Sequence, residues 1–167
     1  MIKIPPILDF EASGLSSESY PIQAAWKFNG VLKNFYIKPS TAEDNWDYWD
    51  YCAQDVHGIP REILSDIGKS CDFVAREMLI DLEGQDILSD APLMEMDWAT
   101  KLFNQTPYTL NFRFISFCDF IYKNNTRNLS DYEINDIHQL IKSTCGLKAH
   151  SAENDVLILE KILLEII

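Results

Sequence analysis

Ile7-Leu8-Asp9-Phe10-Glu11 sets two acids into an apolar stretch. Side chains alternate faces along a strand, so Asp9 and Glu11 point the same way, about 6 to 7 Å apart at two residue rises. No Lys or Arg adjoins them in sequence. Two such carboxylates repel each other and lose hydration on burial. A divalent cation answers both costs, because hard ions such as magnesium take carboxylate oxygens. The plainer alternative places one carboxylate at the exposed strand end or against a distant Arg.

Two further acids stand in apolar patterns. In a helix beginning near Pro92, the residues Met94, Asp97, Trp98 and Leu102 fall on one stripe, so Asp97 is expected on a buried face. After Ser151, a plausible helix cap, the residues Asp155, Leu159, Ile162 and Ile166 form another stripe. An acid in a first turn also gains from the helix dipole, which is the alternative reading of Asp155. His150 comes one residue before that cap. A lone histidine is often structural, but one beside Asp155 is suited to act as a general base at neutral pH.

The elements that must position these residues follow from local pattern. Ile7–Glu11 reads as a strand, with Pro5-Pro6 at its entrance. Pro21–Phe28 and Val31–Ile37 flank Asn29-Gly30, a two-residue type I′ hairpin signal. The acidic, aromatic stretch Pro39–Asp55 reads as a loop leading into a helix that His57-Gly58-Ile59-Pro60 ends. Helices are expected over Ser70–Glu83, Pro92–Phe103, Asp131–Ser143 and the stretch after His150. Asp86–Ser89 and Tyr108–Phe114 complete the strands. Strands first and alternating helices later indicate an α/β domain with a mixed sheet.

With 167 residues and 47% apolar content, the chain has the length of one domain and the composition of a folded protein. Residues 1–167 are therefore expected to form a single domain, with no repeat or linker inside it. Its 14 Lys and Arg against 26 Asp and Glu leave a net charge of −12, which excludes a broad basic surface for nucleic acid. A metal site escapes that exclusion, since bound cations reverse the sign locally. Cys52, Cys71, Cys118 and Cys145 stand far apart without a C-x-x-C pair, as in a reducing compartment. The chain opens on no signal-peptide pattern, and its most apolar stretch, Val156–Ile167, is interrupted by charges and too short for a bilayer. A cytoplasmic protein without a membrane partner is expected.

Taken in order, Asp9, Glu11, Asp97, His150 and Asp155 resemble the DEDDh class of 3′-to-5′ exonucleases, whose superfamily includes the proofreading subunit of bacterial replicative polymerase, RNase T and oligoribonuclease. Asp9-Phe10-Glu11-Ala12-Ser13-Gly14-Leu15 matches the D-x-E-x-x-G-L pattern. Ser89-Asp90-Ala91-Pro92 followed by Asp97-Trp98 resembles the second motif, and His150 to Asp155 has the H-x-x-x-x-D spacing. Val56-His57-Gly58-Ile59 is similar to a V-H-G-I segment common between the first two motifs. The chain departs from the pattern at Pro5-Pro6, at Ser151 where many members carry Arg, and at Glu153. The missing Arg would weaken phosphate contact.

The resemblance implies an RNase H-like fold, a five-stranded mixed sheet flanked by helices on both faces. It also implies hydrolysis of phosphodiesters from a 3′ end, releasing nucleoside 5′-monophosphates. Asp9, Glu11, Asp97 and Asp155 would hold two Mg²⁺ ions, or Mn²⁺, with Asp9 bridging them and His150 as general base. The backbone from Phe10 through Ala12 and Gly14 to Leu15 would contact the terminal nucleotide, with the Leu15 side chain as a wedge. Ordinary core packing is the alternative for Leu15 and for Trp98, which could otherwise stack a base. Lys148 is the nearest basic residue for a phosphate, or else a solvated loop lysine. The acidity favours single-stranded or short DNA or RNA ends over long duplexes. Superfamily members include dimers, which makes the apolar C-terminal helix a surface for a homodimer by analogy. The rival reading is a non-catalytic module of the same fold that binds a partner or regulates it.

Overall fold

Alternation of side chains along the first strand divides the core in two. In the computed structural model, which describes residues 3–167, Leu8 and Phe10 pack into one apolar layer and Ile7 into the other. The strands are β1 (Ile7–Ala12), β2 (Pro21–Phe28), β3 (Val31–Tyr36), β4 (Asp86–Ser89) and β5 (Arg113–Ser116). They form one sheet in the order β3-β2-β1-β4-β5. The β1–β2 and β2–β3 pairs are antiparallel, whereas β4 runs parallel to both β1 and β5. The turn between β2 and β3 has Asn29 at φ 50° and Gly30 at φ 79°, the left-handed pair that a type I′ hairpin demands.

The helices are α1 (Tyr51–His57), α2 (Ile63–Ile67), α3 (Cys71–Leu82), α4 (Pro92–Phe103), α5 (Phe117–Asn124), α6 (Asp131–Thr144) and α7 (Ala152–Ile166). Val74, Met78 and Leu82 of α3 and Trp98, Ala99 and Leu102 of α4 cover the Leu8 face. Val156, Leu159, Ile162 and Ile166 of α7 cover the Ile7 face, together with Phe117 and Ile121 of α5. The sheet is thus mixed, five-stranded and flanked by helices on both faces, as expected.

Three expectations shift. The fifth strand begins at Arg113 rather than Tyr108, because pairing starts at Asp86 opposite Arg113 while Asn111 is tied to α3's end through Glu83 and Gly84. The short helices α2 and α5 are additional. The apolar face of α7 is buried against β1 and β2 rather than free for a second copy, and Leu164 is its one exposed large apolar side chain. Pro5-Pro6 does not interrupt the central position of β1, since the Pro6 carbonyl accepts from the Leu88 N–H at 2.8 Å. Among the described residues, no helix is long and apolar enough to cross a membrane.

Candidate active site

Asp9 and Glu11 share parity with Ile7, so they face α7, and Asp155 reaches them from the first turn of that helix. Carboxylate oxygens of Asp9, Glu11 and Asp155 lie within 4.8 Å of one another. Burial pushes the Asp9 carboxyl well above the usual range, and the negative charges of Glu95, Glu11, Asp155 and Asp90 push it further. Burial, with Asp155 nearby, raises Glu11 to about 7. Asp155 is also raised by burial, although the His150 backbone N–H, 2.9 Å from its Oδ2, opposes the shift.

Asp97 does not join them. Its side chain is 54% exposed and sits 3.3 Å from Lys101 Nζ. The buried stripe of α4 is Glu95, Trp98, Ala99, Leu102 and Phe103, rotated from the stripe through Met94 and Asp97. The burial expected of Asp97 therefore belongs to Glu95, two positions earlier and on the opposite side of the helix. Glu95 is 3% exposed, and its Oε2 has no partner. Burial holds its carboxyl well above the usual range, Asp90 and Glu11 add to the shift, and a backbone hydrogen bond from Phe10 opposes it. The signal for Glu95 in the sequence was its phase with Trp98 and Leu102, at offsets of 3 and 7.

A cavity of about 250 Å³ adjoins this cluster, with Phe10, Glu11, Ala12, Gly14 and Leu15 along one wall. Val56, His57, Trp98 and His150 line the other side. Leu15 is 82% exposed, so it is not a core residue, whereas Trp98 is buried with one surface in the cavity. Gly14 is required by close approach, since a Cβ there would lie 2.9 Å from Asp50 Cβ. His150 is exposed and left-handed at φ 64°. Lys148 is exposed, with its Nζ placed 3.3 Å from where a Cβ on Gly58 would stand. A larger surface hollow, about 470 Å³ between Pro39 and Ser65, contains none of these groups.

A second histidine, His57, also lines the cavity. Its Nδ1 accepts from the Ile59 N–H at 3.0 Å, which leaves the ring proton on Nε2, and that atom is buried without a partner. Burial lowers its pKa, which favours the neutral ring. Ser151 occupies the cap position of α7 without a side-chain capping bond, and Glu153 is held by Asn34 Nδ2 at 2.9 Å.

The donor set fits a hard divalent cation. Asp9, Glu11 and Asp155 are oxygen donors within reach of one ion, Glu95 lies close enough to raise Asp9, and no Lys or Arg among the described residues pairs with any of them. Searches by sequence returned no matching family model and no matching curated relative. Solved structures, in contrast, align over nearly the whole chain. The fold is RNase H-like. E. coli exonuclease I in a zinc-bound complex with single-stranded DNA superposes with a TM-score of 0.66 at 19% identity, covering 96% of this chain and 39% of that one. The same enzyme with a dA16 oligonucleotide gives 0.66 at 18% identity, covering 96% and 40%. A moderately thermophilic exonuclease I from Methylocaldum szegediense gives 0.63 at 14%, covering 96% and 40%. The chain thus spans about two fifths of the length of these neighbours.

Proposed function

We propose that residues 1–167 form one exonuclease domain that removes nucleotides from the 3′ end of single-stranded or short nucleic acid, with Mg²⁺ or Mn²⁺ as its cofactor. The observation that carries this reading is a cluster of half-buried carboxylates, Asp9, Glu11 and Asp155, beside the buried Glu95. No Lys or Arg among the described residues is paired to them, and Glu11 opens onto a cavity that His150 also lines. The exonuclease I neighbours in complex with single-stranded DNA support DNA as the first substrate to try.

Asp9, Glu11, Asp155 and Glu95, in place of Asp97, would hold the metal ions. When bound, these would neutralise charge on the phosphodiester and make water a better nucleophile. His150 takes the proton of the attacking water on its unprotonated ring nitrogen. The bond from its backbone N–H to Asp155 fixes where the ring begins. The cavity lies just below the about 300 to 1,000 Å³ of typical ligand pockets, which suits one terminal base and sugar rather than a run of nucleotides. Leu15 and Trp98 supply its apolar contact and exclude water, while the Phe10, Ala12 and Gly14 backbone follows the terminal nucleotide. Lys148 Nζ, beside Gly58 and so next to His57 of the cavity wall, offers an ammonium for a phosphate. Of the other lysines, Lys27 is bound to Glu160, and Lys33 to Glu77 and Asp81. Long-range attraction to a phosphate chain is therefore weak, which favours short ends.

The test follows 3′-labelled and 5′-labelled single-stranded DNA and RNA with Mg²⁺, Mn²⁺ or EDTA, wild type beside Asp9→Ala. Metal-dependent shortening from the 3′ end is expected. The variant should lose about three orders of magnitude in rate, the scale of several kcal/mol of charge stabilisation in the transition state. A folded wild-type protein that binds Mn²⁺ but releases no nucleotide from either polymer would overturn the reading in favour of the non-catalytic module.

A further inference from the structure

The Gly14–Ser19 segment carries Leu15 at the cavity edge and is stitched internally. Ser13 N–H bonds Tyr20 O at 2.9 Å, Ser19 N–H bonds Ser16 O at 3.0 Å, and Ser16 N–H bonds Ser19 Oγ at 2.9 Å. One side chain of α4 reaches across to it. Lys101 Nζ donates to Ser19 O at 2.8 Å and to Ser17 O at 3.1 Å, and its side chain is only 25% exposed. The same ammonium stands 4.7 Å from the centre of the Trp98 ring and 3.3 Å from Asp97 Oδ2. It thus ties the loop bearing one cavity wall to the helix bearing the other, with Asp97 as its counter-ion.

We propose that Lys101 is a positioning residue, which rests on the nuclease reading: it holds the Gly14–Ser19 loop so that Leu15 stays over the cavity that receives the terminal nucleotide. A loop already ordered binds its ligand without losing that freedom on binding. Two carbonyls pointing at one ammonium make charge-assisted hydrogen bonds, stronger than neutral ones. Lys101→Met keeps the stem over Trp98 and removes both bonds.

The experiment has two arms on Lys101→Met, Lys101→Arg and Leu15→Ala proteins. Hydrogen exchange over residues 13–20, without substrate, should accelerate in Lys101→Met and return toward wild type in Lys101→Arg. With 3′-labelled oligo-dT and Mn²⁺, Lys101→Met should raise KM about tenfold, the order of one lost charged hydrogen bond, and change kcat little. In a Leu15→Ala background the same substitution should add almost nothing to KM, because the side chain it positions is gone. Unchanged exchange overturns the clamp whatever the substrate. Additive KM effects, or a fall in kcat alone, overturn the link to Leu15. A wild-type protein that neither binds nor cleaves the oligonucleotide defeats the nuclease reading, and with it the substrate half of this proposal, while the exchange arm separately decides the clamp.

Discussion

Acids are drawn out of water in two regions of this molecule, and they are treated in opposite ways. Between β3 and α3, Lys33 Nζ lies 3.1 Å from Glu77 and 2.8 Å from Asp81, and Trp26 Nε1–H donates to Asp81 at 2.8 Å. Burial alone would lower the Lys33 ammonium, yet its bonds to Asp81 and Glu77 raise it overall. At the far end of β1, Asp9, Glu11, Glu95 and Asp155 gather with Asp90 close by. What opposes their charge is backbone N–H groups and His150 rather than any Lys or Arg among the described residues. A fold selected for stability alone would resolve the second region as it resolves the first. Places where local rules fail without compensation are expected at functional sites.

The contrast is largest in its dependence on pH. Glu11 sits near 4.5 when free and at about 7 in the fold, so the folded state holds a proton that the unfolded chain has lost. Its contribution to stability is present below about 4.5 and disappears as pH rises through about 7. At about 1.4 kcal/mol per unit, that is up to about 3 kcal/mol, and Asp9, Glu95 and Asp155 shift in the same direction. Denaturant unfolding in EDTA should therefore show a less stable protein at about pH 7.5 than at about pH 5. Mg²⁺ or Mn²⁺ should recover the loss mainly at the higher pH, since protons compete for the same oxygens. Equal stability at both pH values, with no response to either ion, would break the comparison.

Much of this was legible in the chain. The bounds of β2, β4 and α4 match the reading from sequence residue for residue, with Asn29-Gly30 ending β2 and Pro92 opening α4. Asp9, Glu11 and Asp155 were found by the same logic, as acids inside apolar periodicity. The strand expected over Tyr108–Phe114 lies instead at Arg113–Ser116, because its place is decided by pairing with β4, which no local pattern reports. Helix α5 is eight residues long and stands on Phe117 and Ile121 buried against α7 and the sheet, a tertiary contact. Glu95 was missed for a narrower reason. Met94 and Met96 flank it, so several stripes through α4 looked apolar, and only packing against β1 selects the one through Trp98 and Leu102.

Glu95 and Asp97 therefore sharpen the comparison within a single helix. Calorimetric titration with Mn²⁺ should show Glu95→Gln losing at least about tenfold in affinity, the lower bound for disturbing even an outer partner of a metal. Metal-free Glu95→Gln should also be no less stable than wild type, because a strained buried acid has been made neutral. Asp97→Asn should leave Mn²⁺ affinity unchanged. The reverse ranking would return the fourth carboxylate to Asp97.

The smallest effect belongs to the paired region. Lys33→Met would leave Glu77 and Asp81 facing each other without their cation, though Trp26 still donates to Asp81. Removing one partner of a fully buried pair is severe, but these side chains are 20% and 23% exposed and water can enter. A loss of about 1 to 2 kcal/mol is expected, close to one charged hydrogen bond. Denaturant midpoints measured at about pH 7.5 would give it directly, and Mn²⁺ affinity should not move. A change in metal affinity on Lys33→Met would mean that the two groups of acids feel each other across the sheet. Their opposite treatment would then be one electrostatic arrangement rather than two.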